Sequence, residues 1–120
     1  MKASKEHFLR LLHMELEDMQ EDIEALKRHC AAQREQGQIS DYVFRENMAA
    51  YDNFAADLVH LMRTFDAVEH EEAADIPALI ACLRGRCEAH LADRGLGRGL
   101  VTTLARKMQK IARYLEGHPT

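Results

Sequence analysis

The sequence predicts an all-α fold, an antiparallel up-down-up-down four-helix bundle made of a long helical hairpin and a shorter one. Three observations carry that expectation. Ala, Leu, Glu, Arg, Lys, Met and Gln dominate the composition, and these are the strong helix formers. Aromatic residues make up only 6% of the chain and Trp is absent, which argues against a β-rich architecture. Apolar residues also recur at alternating spacings of three and four in separate stretches, the seam of a heptad.

A chain of 120 residues, 47% hydrophobic and 30% charged, is most simply one domain spanning 1–120. Helices are expected at about 5–36, 41–70, 76–93 and 99–116. The first begins at Ser4, a good N-cap, and carries the seam Leu9, Leu12, Leu16, Met19, Ile23, Leu26, Cys30 and Gln33. Only Gln33, the last, is polar. Gly37 offers the left-handed position that closes a helix. The short link Gly37-Gln38-Ile39-Ser40 folds the next helix back as a hairpin, with Ser40 as its N-cap.

The second helix answers with Phe44, Met48, Tyr51, Ala55, Leu58, Met62 and Phe65, and with a second row of Phe54, Leu61 and Val68. Two rows face more than one neighbour, which makes this helix central. After an acidic connector, Asp75-Ile76-Pro77 reads as a helix start. The third helix uses Ile76, Leu79, Ile80, Leu83, Cys87, His90 and Leu91. Gly85 in its middle marks a place where another helix is expected to come close. Arg94-Gly95-Leu96-Gly97-Arg98-Gly99 reads as a turn, and the last helix carries Val101, Leu104, Met108, Ile111 and Leu115.

Helix lengths lead to a functional expectation. At ~1.5 Å per residue the second hairpin falls roughly 18 Å short of the first. The loop end of the first hairpin is then uncovered and presents Ile23, Leu26, Cys30, Phe44, Met48 and Tyr51 as an interface. The expected function is a non-catalytic scaffold or adaptor bundle whose partner is a second copy or another helical protein.

Charge is divided unevenly. Residues 1–75 carry 8 basic and 17 acidic side chains, and residues 76–120 carry 8 basic and 3 acidic, within an overall charge of −4. The basic end raises an alternative, contact with nucleic acid through Arg98, Arg106, Lys110 and Arg113. Taking Leu104 as zero, Arg106, Lys110 and Arg113 fall within about 60° of one another on the outer face. No helix-turn-helix signature accompanies them and the whole chain is acidic, so nucleic acid is the less favoured partner.

A third reading is a metal or redox bundle around Cys87 and His90, three residues apart on one face. Cys82 points elsewhere by phase, and two ligands make no structural zinc site. A carboxylate-bridged metal centre would need Glu-x-x-His motifs, and the chain has none. Its nearest match, Asp57-x-x-His60, puts His60 opposite the core and Asp57 at the edge, with neither side chain inward. Leu96-Gly97-Arg98-Gly99 lacks the Lys-Ser/Thr of a phosphate loop. No catalytic residues, cofactor or small-molecule substrate are expected. The apolar runs are too short to span a bilayer. No export signal stands out, and three irregularly spaced cysteines make no disulfide framework, so the expected location is the cytoplasm.

Overall fold

A computed structural model describes residues 4–94 and 98–117, with the helical backbone alone at 91–94 and 98–100. The described residues form four α-helices and no strands: α1 (Lys5–Glu35), α2 (Asp41–Asp66), α3 (Ile76–Arg94) and α4 (Arg98–Gly117). A single 3-10 turn, His70–Glu72, lies between α2 and α3. Of the turn expected at residues 94–99, Arg94 belongs to α3 and Arg98 and Gly99 to α4, and residues 95–97 lie outside the described residues.

Capping chemistry sets the helix starts. The Ser4 hydroxyl accepts the His7 N–H at 3.1 Å, and the Ser40 hydroxyl accepts that of Val43 at 3.2 Å. The Asp75 carboxylate accepts the Ala78 N–H at 2.9 Å. Each satisfies one of the amides that a helix start leaves without an internal partner. The end of α1 is equally defined. Gly37 has φ +72°, its N–H reaches the Arg34 carbonyl at 3.0 Å, and the Gln38 N–H reaches the Gln33 carbonyl at 2.8 Å. This is a Schellman closure, and glycine suits it because a Cβ in the left-handed region is strained.

Two expectations are corrected. Helix α2 ends at Asp66 rather than at residue 70. The Val68 N–H takes the Phe65 carbonyl three residues back, and the Val68 side chain turns into the core. Glu69, Glu71 and Glu72 would otherwise sit at the negative end of the helix dipole, where carboxylates are unfavourable. Gly85 is exposed, and a Cβ placed there would meet no atom within 4 Å, so no neighbouring helix comes close at that point.

The chain divides into two compact units. The first comprises Met1–Glu15 and Leu61–Thr120, and the second comprises Leu16–His60. In the first unit α3 and α4 pack together, and Leu79, Leu83, Leu104, Met108 and Leu115 are fully buried. Phe8 and Leu12 of α1, and Leu61 and Phe65 of α2, belong to the same unit and are buried too. Each side chain of this kind contributes about 1.5–3 kcal/mol. Lys107 of α4 meets Glu15 of α1 at 3.0 Å, and the Lys5 ammonium donates to the Ala73 carbonyl of the connector. His13 lies 3.7 Å from Asp66. Helix contacts of this kind fit a bundle.

The second unit is the hairpin formed by the rest of α1 and α2. Lys27 bridges to Asp52 at 2.8 Å, and Arg34 approaches Asp41 at 3.3 Å. The Arg34 guanidinium also lies 4.5 Å from the centroid of the Phe44 ring, a cation–π contact. Asp52, followed by Glu24, raises the Lys27 pKa, although burial acts in the opposite direction.

Candidate functional site

The heptad of α1 has two rows, and their fates differ. Leu16, Ile23 and Cys30 form one row, and all three are buried, at 1%, 4% and 2% exposure. Lys27 and Arg34 stand four residues after Ile23 and Cys30, on the same side of the helix, and both reach residues of α2. This row therefore faces α2. The other row runs Leu12, Met19, Leu26, Gln33. Leu12 is 1% exposed, Met19 is half-buried, and Leu26 is 45% exposed.

Helix α2 shows the same gradient. Leu58, Leu61 and Phe65 are buried, whereas Phe44, Met48, Tyr51 and Phe54 are only half-buried. Val43 and Tyr42, nearer the loop, are exposed. Among the expected interface residues, then, Leu26 is exposed and Phe44, Met48 and Tyr51 are part-covered. Ile23 and Cys30 are corrected: they are buried, because their row is the one that lines α2.

The other candidate residues lie in the first unit. Arg106, Lys110 and Arg113 are exposed along one face of α4, as their phases require, while the Arg98 side chain lies outside the described residues. Cys87 is buried and His90 half-buried. Burial, with a smaller push from nearby Glu88, raises the Cys87 thiol from 9.0 to about 11. It is therefore a protonated thiol at neutral pH, a poor nucleophile and a poor metal ligand. Among the described residues no three His, Cys, Asp or Glu side chains gather where they could hold a metal ion. No described helix is long and apolar enough to cross a membrane.

The residue phases misplaced one side chain and left two features unread. Asp57, expected at the edge of the core stripe, is 1% exposed. The tie between Lys107 and Glu15 links positions 92 apart, and no local pattern signals it. An open cavity of about 300 Å³ lies in the first unit, bordered by Val68, Glu69, Glu72, Leu79, Cys82 and Arg86 among others. Cys82 is a free, exposed thiol there, one turn before Arg86. Glu69, Glu72 and Arg86 of the cavity lining are exposed.

No family model, no curated protein and no solved structure matches this chain.

Proposed function

We propose that this chain is a non-catalytic protein–protein interaction bundle, of scaffold or adaptor type, that self-associates through its first hairpin. One observation carries the reading. The row from Leu12 to Leu26 passes from 1% to 45% exposure along a single helix, while Leu16, Ile23 and Cys30 beside it stay buried. A helix needs one covered stripe to hold it in a hairpin; a second apolar stripe, left open, is surface available to a partner.

The topology that goes with this reading is antiparallel, up-down-up-down. It is supported by the pairs Arg34 with Asp41, Lys27 with Asp52 and His13 with Asp66, whose positions recede along α1 as they advance along α2. A reducing, cytoplasmic setting accords with three free cysteines, one of them exposed. Sedimentation of the full chain at tens of micromolar tests the reading, with a reversible dimer expected and a strict monomer refuting it. Leu26→Glu should weaken the dimer by at least ~10-fold, since it removes part-exposed apolar surface and adds a charge to each copy.

A second reading, contact with nucleic acid, is favoured by the shared exposed face of Arg106, Lys110 and Arg113. It requires salt-dependent binding of a nonspecific oligonucleotide that is lost when the three become Glu.

A further inference from the structure

The hairpin unit differs from a generic sticky surface in how its charges are arranged. Between residues 15 and 24, α1 carries Glu15, Glu17, Asp18, Glu21, Asp22 and Glu24 with no basic residue. Between 27 and 34 it carries Lys27, Arg28 and Arg34 with no acidic one. Asp18 and Asp22 flank the Leu26 row on one side of its midpoint, His29 flanks it on the other, and all three are exposed. Helix α2 contributes a different stripe. Val43, Asn47, Ala50, Tyr51 and Phe54 share a face at helical spacing, contain no charge, and are exposed or half-buried. In an antiparallel hairpin the pairs Lys27 with Asp52 and Arg34 with Asp41 bracket Tyr51 as the α2 residue level with Leu26.

We propose that this face takes a second copy of the chain laid antiparallel, α1 on α1 and α2 on α2, about a two-fold axis near Leu26 and Tyr51. The proposal rests on the self-association reading above and specifies its geometry. A parallel pairing of α1 with itself would set Asp18 against Asp18 and Asp22 against Asp22. The antiparallel pairing sets Asp22 by the other copy's His29 and Asp18 by its Gln33. It also brings each acidic segment beside a basic one, at an interaxial distance of about 8–10 Å, comparable with the ~8 Å screening length at physiological salt. The α2 stripe is uncharged along its length and packs on itself at no electrostatic cost, with Asn47 against the other copy's Phe54. Both contacts are self-complementary, as a two-fold interface requires.

Cysteine placement tests the geometry. In a Cys82→Ser background, Met19→Cys, Leu26→Cys and Gln33→Cys are made singly in the full chain, with helicity checked by circular dichroism. A short bismaleimide is then applied to each variant and to a mixture of Met19→Cys with size-tagged Gln33→Cys. The proposal expects Leu26→Cys to crosslink to itself. It also expects the mixed 19–33 product to exceed the 19–19 and 33–33 products several-fold. Dominant 19–19 and 33–33 products overturn the antiparallel arrangement and leave self-association standing. A dimer in sedimentation that crosslinks at none of the three positions overturns the assignment of this face. A monomer in sedimentation overturns the underlying reading as well.

Discussion

Glycine to alanine is the same chemical change at residues 37 and 85, and the structure requires it to act in opposite directions. At neither position would the new Cβ meet an atom within 4 Å, so packing cancels from the comparison and backbone geometry decides. Gly37 has φ +72°. A side chain there costs roughly 1–2 kcal/mol in the left-handed region, against about 0.4–1 kcal/mol regained by stiffening the unfolded chain. The net expectation is a loss of about 1 kcal/mol. Gly85 lies inside α3 with no positive φ, so Gly85→Ala should gain about 0.5–1 kcal/mol. For this chain an unfolding entropy of roughly 2.1 cal/mol/K per residue converts 1 kcal/mol into about 4 °C. Thermal unfolding followed by far-UV circular dichroism should therefore show Gly37→Ala about 4 °C below the parent and Gly85→Ala about 2–4 °C above it. Two shifts of the same sign would refute the argument, because they would mean that something other than backbone conformation governs one of the sites.

Burial and capping lead to further outcomes. The Cys87 thiol is raised to about 11, above its ordinary 9.0, so the unfolded state loses this proton first as pH rises. Its stabilising contribution is complete below 9.0 and falls away toward 11, by roughly 2–3 kcal/mol in all. Urea midpoints measured across that window should fall more steeply for the parent than for Cys87→Ala, and equal slopes would contradict the burial argument. Removing the caps by Ser40→Ala or Asp75→Ala should each cost about 1 kcal/mol. Hydrogen exchange should localise the loss to the first turn of α2 in one variant and of α3 in the other. Loss at both sites in either variant would tie together two ends that the capping contacts treat as separate.

The helices were legible because their punctuation is local chemistry. Ser4, Ser40 and Asp75 cap within three residues, and Gly37 closes α1 through bonds to its own last turn. Periodicity named Leu12, Leu16, Leu58 and Leu83 as core, since a helical phase depends only on spacing. What escaped depends on width rather than phase. Asp57 lies about 100° from Leu58, and whether such an edge is wet or dry is decided by how far the neighbouring helices wrap. The identical spacing of Ile23 and Leu26 within the heptad gave no sign that one row would be buried and the other open. Which row faces α2 was settled by Lys27 and Arg34, charged residues on the rim that apolar periodicity passes over. The end of α2 at Asp66 was missed because Val68 continues the apolar phase of Leu61 even though the backbone has already turned.

The first compact unit is assembled from two segments, Met1–Glu15 and Leu61–Thr120, separated in sequence by Leu16–His60. That arrangement has a cost during synthesis. Glu15 leaves the ribosome long before Lys107, its ion-pair partner 92 residues later, and at roughly 5–20 residues per second the wait is about 5–20 s. During that interval α1 and α2 can already join, because their contacts span a short loop and close quickly. Phe8 and Leu12 lack the rest of their unit until the segments from Leu61 onward are made. An apolar turn of the nascent α1 thus waits for the rest of its unit, and in that interval it is open to a chaperone or a neighbouring nascent copy.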